Sequence, residues 1–176
     1  MLILIVLGLV FRGFLYRQLV TYQSIGKRTS YVASDARLIA FIDERADYTH
    51  DPDIKAIIST SLSATSRQLT FSTSKNDNDP NKLIVSKKAH CIGYAAFFST
   101  TCNYLLKKYK LSNTWVAKPQ VGQLYLLGTN IHRFFNSSFF KDHDFVTIEN
   151  RLTGEVFAVD PTVNDYFYID FVTLRK

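Results

Sequence analysis

Cys91, His143 and Asp160 are the residues of this chain whose types and order suit covalent chemistry. A thiol, an imidazole and a carboxylate are the nucleophile, base and orienting group that acyl transfer needs. Cys91 opens the apolar, helix-like run Cys91-Ile92-Gly93-Tyr94-Ala95-Ala96-Phe97-Phe98. At a helix start, unpaired N–H groups and the dipole favour an anion, so a thiolate is stabilised there and the thiol pKa falls. The same N–H groups can donate to an oxyanion as it forms. Lys87 and Lys88, just upstream, add positive potential. Cys102 serves as the internal contrast: it sits mid-helix between apolar neighbours and reads as a buried structural thiol.

His143 begins a strand-like stretch running to Glu149, and Asp160 ends a second one that begins at Gly154. Asn150-Arg151-Leu152-Thr153 between them reads as a four-residue hairpin loop. Pairing Glu149 with Gly154 places His143 directly opposite Asp160, with the Cβ atoms about 5 Å apart on one face. A register error of one residue would put the two side chains on opposite faces. The plainer alternatives are a solvent-facing His143 in Asp142-His143-Asp144 and a turn-forming Asp160 before Pro161. Asp142 and Asp144 are reserve carboxylates, but strand neighbours point elsewhere. His132 is a rival base without an evident carboxylate partner. His90 is expected to point away from Cys91, and His50 lies in a loop-like stretch.

These residues must be positioned by a small set of elements. Ser34-Asp35 reads as a helix start, with Leu38, Ile39, Phe41 and Ile42 as the apolar face. Asp51-Pro52-Asp53 reads as another, followed by Ile54, Ile57 and Ile58. Gln68 to Ser72 alternates briefly, and Thr73 to Asn81 is polar and turn-forming, hence an exposed loop. Cys91, Ala95, Phe98, Cys102, Leu105, Leu106 and Tyr109 recur at helical spacing. Gly122 to Leu127 is strand-like, Gly128-Thr129-Asn130 a turn, and an aromatic stretch runs on to Phe140. Helices, one long buried helix and then an antiparallel sheet predict an α+β fold. Trp115, Phe139 and Phe140 are candidates to line a groove, with core packing the simpler role for each.

With 176 residues, the chain is long enough for a single unstapled domain. A net charge of +6 without a dense Lys/Arg run or basic–aromatic interleaving argues for a mildly basic surface and against a nucleic-acid module. The two cysteines are no disulfide framework. On one helix they lie about 16 Å apart, and a bridge needs Cα atoms within about 7 Å. With four His and two Cys there is no zinc-ligand spacing. Residues 1–22 form an apolar segment interrupted by Arg12 and Arg17, short for a spanning helix of about 20 apolar residues. It reads as a short membrane anchor, an anchor whose true start lies upstream, or a core helix. The basic residues Arg12, Arg17, Lys27 and Arg28 follow the apolar run, which would hold the domain on the cytoplasmic side of a membrane. The expected organisation is therefore a membrane-associating segment, 1–22, and one domain, 23–176.

Across roughly residues 85–165 the sequence resembles the transglutaminase-like superfamily, which shares the papain-like core. The matching blocks are Cys91-Ile92-Gly93-Tyr94-Ala95, then His143-Asp144-Phe145, then Phe157-Ala158-Val159-Asp160-Pro161-Thr162. The last is the most specific. Where the family has Gly two residues before the nucleophile this chain has Ala89, and Phe145 and Phe157 replace tryptophans. The resemblance implies a long helix carrying Cys91, packed on an antiparallel sheet, with Cys91, His143 and Asp160 at their junction. It implies a cysteine-dependent hydrolase or acyl transferase acting on peptide or protein amides, with no cofactor. Some relatives use calcium, but no EF-hand-like run of ligands is present. The alternative it leaves is a non-catalytic module that binds a peptide or an envelope partner.

Overall fold

The computed structural model describes residues 11–46 and 52–175. The expectations placed on residues 1–10, on Asp51 and on His50 lie outside these. The fold is mixed α+β, with six helices and eight strands among the described residues. It begins with α1 (Arg12–Leu19) and β1 (Val20–Lys27), then α2 (Ala36–Asp43) and α3 (Ile54–Gln68). β2 (Thr70–Phe71), α4 (Pro80–Ser86), β3 (Lys88–Ala89) and the long α5 (Cys91–Lys108) follow. The second half holds β4 (Trp115–Leu126), β5 (Thr129–Asn130), β6 (His143–Asn150), β7 (Val156–Val159), α6 (Pro161–Phe167) and β8 (Thr173–Leu174). Two 3-10 turns, Ile131–Phe134 and Ser138–Phe140, lie between β5 and β6.

The helix starts follow from their caps. Asp35 accepts from Arg37 N at 2.8 Å and Asp53 from Ala56 N at 2.7 Å, satisfying first-turn donors that have no partner inside the helix. The loop expected through Asn81 ends earlier. Asp79 caps α4 and Pro80 takes its first turn, where a fixed φ and a missing N–H are harmless. Lys87, in the left-handed conformation at φ 61°, then stops α4 and aims β3 at the start of α5.

α5 is buried on nearly every side, from Gly93 through Cys102 and again at Leu105 and Leu106. On one side it packs on α3 and on the other against β4 and β6. Each fully buried Phe or Leu on it contributes about 1.5–3 kcal/mol, so this helix carries much of the main core. Its 18 residues keep Cys91 and Cys102 at separate levels, and both thiols are free.

The main sheet runs β7-β6-β4-β1-β8, antiparallel except for the parallel pair of β1 with β8. Val172 N donates to Ala158 O at 2.9 Å, which draws the two ends of the sheet together and nearly closes it. One face, with Trp115, Ala117, Val146, Ile148 and Val159, joins α5 in the large core. The enclosed face holds a second, smaller core of Tyr22, Leu124, Phe145, Ala158 and Val172.

Two expectations about the elements are corrected. β4 starts at Trp115, seven residues before the expected Gly122, and runs through Pro119. Pro119 O accepts from Arg28 N at 3.0 Å, so this residue's edge faces the end of β1 and the missing N–H costs β6 no bond. The second correction concerns the boundary after residue 22, which falls inside β1. Val20, Thr21 and Tyr22 pair with β4, and Tyr22 is fully buried. A strand in the middle of a sheet cannot belong to a separate anchor. Among the described residues, no helix is long and apolar enough to cross a membrane.

Candidate active site

His143 is the first residue of β6 and sits at the mouth of the enclosed face. Its ring Nε2 lies 2.6 Å from Asp160 Oδ2. The imidazole is 21% exposed and the Asp160 side chain is fully buried. The register that achieves this differs from the expected one. β6 and β7 pair Val146 with Val159 and Glu149 with Val156, so the residue opposite Asp160 is Phe145 and His143 is its diagonal neighbour. The hairpin loop is Arg151–Gly154 rather than Asn150–Thr153, and Asn150 N bonds Glu155 O at 2.8 Å. Gly154 adopts φ 75°, and the Asn150 side chain accepts from Leu152 and Thr153 N–H groups, which moves the turn one residue along. Sliding the loop by one residue shifts the pairing by two, and a shift of two keeps each side chain on its face.

Asp160 is held from both ends. Oδ1 accepts from Thr162 N at 3.0 Å and Val163 N at 3.1 Å, which makes Asp160 the cap of α6. Oδ2 is thereby aimed at the His143 ring, and it also accepts from Tyr22 Oη at 2.8 Å. Tyr16 Oη and Tyr22 Oη are 2.6 Å apart, so a hydroxyl chain backs the carboxylate. Burial pushes the Asp160 pKa up, but the adjoining imidazole and the hydrogen bonds from His143, Tyr22 and the Val163 amide outweigh it and leave it below the usual range. For His143, burial opposes the charged ring, yet Asp160 and then Cys91 hold its pKa well above the ordinary value.

Cys91 occupies the first position of α5 and is 9% exposed. Burial alone would raise its pKa. Hydrogen bonds from the His143 and His90 side chains, the His143 charge and the Asp144 backbone N–H bring it down to about 7. The structure therefore brings together Cys91, His143 and Asp160, which stand on three different elements. Cys102, fully buried, has its pKa pushed up to about 12 by desolvation, which the neighbouring Ser61 hydroxyl offsets only in part.

His90 does not point away from Cys91 as expected. Its Nδ1 accepts from Ile92 N at 3.3 Å, capping α5, and this folds the ring back toward the thiol. Phe139 packs edge-on against that ring at 6.3 Å between centroids. Phe139 thus lies beside the site, whereas Trp115 stacks on Phe157 in the core. His132 is turned elsewhere, with Nδ1 2.6 Å from Phe140 O. Asp144 is fully buried and points away from His143 into a two-pronged pair with Arg28, at 2.8 and 3.0 Å; Asp142 lies 3.6 Å from the same guanidinium. This Arg28–Asp144 pair beside the site is the contact that sequence reasoning missed. Lys87 and Lys88 are exposed. Tyr22 and Tyr16 were missed as well, because the strand carrying Tyr22 looked like the tail of an apolar anchor. Among the described residues, no group of His, Cys, Asp and Glu could hold a metal ion.

Gly122 faces His143 across β4 and β6. A Cβ there would lie 2.6 Å from two Phe145 ring carbons and 2.8 Å from His143 O. Gly122→Ala is therefore expected to cost about 1–3 kcal/mol by overpacking. It should also slow thiol modification at Cys91 by displacing His143. The midpoint of urea unfolding and the alkylation rate of the folded protein check both.

No family model, curated protein or solved structure matches this chain.

Proposed function

We propose that the protein is a cysteine-dependent hydrolase or acyl transferase acting on amide bonds of peptides or proteins, built on a transglutaminase-like, papain-like core. The observation that carries this reading is the His143 imidazole, its Nε2 held 2.6 Å from a buried carboxylate, acting on a helix-start thiol whose pKa is lowered to about 7. Cys91 sulfur attacks the carbonyl carbon. The oxyanion that forms meets the Cys91 backbone N–H, which at the first helical position has no partner within α5. His143 takes the thiol proton and gives it to the leaving amine as the C–N bond breaks. Water or a second amine then attacks the thioester, and the thiol is restored. Asp160 fixes the ring orientation and stabilises its charged form.

The exposed apolar side chains of Phe11, Phe14, Leu15 and Leu19 on and beside α1 support a membrane-apposed location.

The test is acylation by p-nitrophenyl acetate, followed by intact-mass analysis and peptide mapping. One acetyl group on Cys91, absent in Cys91→Ala and retained in Cys102→Ala, is the expected result. Acetylation spread over lysines, with Cys91 unmodified, would sink the proposal.

A further inference from the structure

A cavity of about 280 Å³ lies against the His143 ring on the enclosed side of the sheet. Val20, Leu124, Leu126, Ile131 and Val163 supply its aliphatic walls, and it opens beside Leu126, which is 46% exposed. The rings of Tyr16, Tyr22 and Tyr125 complete it, but the hydroxyls of the first two are committed to each other and to Asp160, and that of Tyr125 is turned to Gln123 Oε1 at 3.5 Å. His143 Nε2 is committed to Asp160 too. The walls therefore present carbon, and an occupant gains by burying apolar surface and by little else.

The placement says which part of a substrate enters. The wall includes His143 and not Cys91. In thiol acyl transfer the acyl group is bonded to sulfur, while the imidazole handles the proton of the departing or arriving amine. A cavity walled by the imidazole flanks that amine. We propose that this cavity is the subsite for the amine partner and that it takes one large apolar side chain, of the size of leucine or phenylalanine, carried next to the reacting nitrogen. The inference rests on the reading of Cys91, His143 and Asp160 given above. In the transfer direction, the amine nitrogen bonds to the acyl carbon and the C–S bond breaks. Sulfur leaves with the electron pair, and the proton that His143 removes from the amine returns to it.

The experiment uses the full chain acetylated at Cys91 by p-nitrophenyl acetate. The acetyl enzyme is divided among glycinamide, leucinamide and phenylalaninamide, whose amines have similar basicity, and the N-acetyl products are quantified. Leucinamide and phenylalaninamide are expected to capture the acetyl group about tenfold or more faster than glycinamide, the order that burial of such a side chain provides. Ile131→Trp, which fills the cavity from an irregular segment, should bring the leucinamide-to-glycinamide ratio toward one. Ile131→Ala should raise phenylalaninamide relative to leucinamide. Each ratio is internal to one protein, so a change in overall activity does not disturb it. Acetylation at Cys91 with equal capture of the three amines would overturn the subsite and leave the nucleophile standing. Failure to acetylate Cys91 would overturn both.

Discussion

Asp160→Asn is expected to reduce turnover of an acyl substrate by about 10³–10⁴, the scale seen when the orienting acid of a nucleophilic triad becomes an amide. An asparagine can keep Oδ1 as the acceptor for Thr162 and Val163, so α6 stays capped. Its Nδ2 would then occupy the place of Oδ2 and donate to His143 Nε2. The ring would be forced to the tautomer whose proton points at the sulfur, and it could no longer accept one. Asp160→Ala removes the cap as well and leaves a partly buried imidazole without its carboxylate, at about 3 kcal/mol, the low end for a broken buried pair because the ring is 21% exposed. That is a large part of the 5–15 kcal/mol total usual for a domain.

The pH dependence of that loss has a defined window. Asp160, with its pKa depressed, contributes stability fully above the unfolded value of 3.8 and loses it as pH falls through the lower folded value. His143, with its pKa raised, contributes fully below 6.5 and loses it as pH rises through the folded value. The gap in stability between wild type and Asp160→Ala should be widest between these two ordinary values and narrow on either side. Urea unfolding at several pH values measures it; a gap independent of pH would contradict an Asp160–His143 ion pair.

The alkylation profile of the two thiols is the second large effect. Cys91 should titrate near pH 7, not at its ordinary 9.0, while Cys102 near 12 and fully buried should stay unlabelled in the folded protein. One pH unit below its midpoint, Cys91 then carries about a hundredfold more thiolate than an ordinary cysteine. The lower basicity costs about tenfold in nucleophilicity, so a net gain of about tenfold is expected. His143→Ala removes the strongest of the influences that lower this pKa and leaves burial, which raises it. With the thiol back at its ordinary 9.0, the thiolate share at neutral pH should drop by about fiftyfold and the labelling rate, after the same change in nucleophilicity, by about fivefold. Iodoacetamide rates across the range spanning both midpoints, read residue by residue by mass spectrometry, check this. Equal rates at the two cysteines would refute the poise assigned to Cys91.

Much of the fold is local physics, and that part was legible in the chain itself. Asp35 and Asp53 before apolar-periodic runs mark α2 and α3, because a carboxylate one step outside a helix satisfies its first donors. The length and apolar spacing of Cys91 to Tyr109 mark α5. Alternation on either side of a turn marks β6 and β7, and face parity survived the misplaced loop because the error was an even one. Asp160 followed by Pro161 carries the signal of a helix start, α6, as much as that of a turn.

What residue order alone left open concerns partners far apart in sequence. Nothing near Val20 says that it opens a central strand, since its partner Leu126 lies more than a hundred residues away. Nothing near Arg28 announces Asp144, or near Tyr22 announces Asp160. Those contacts exist because closing the sheet buries two carboxylates, and a buried charge must find a cation or hydrogen-bond donors wherever the fold supplies them. The chain by itself determined which residues could do chemistry and the helix that presents the thiol. Only the tertiary structure decided their spacing, their ionisation and the apolar cavity beside the imidazole, because burial and charge pairing are set by neighbours that sequence distance does not encode.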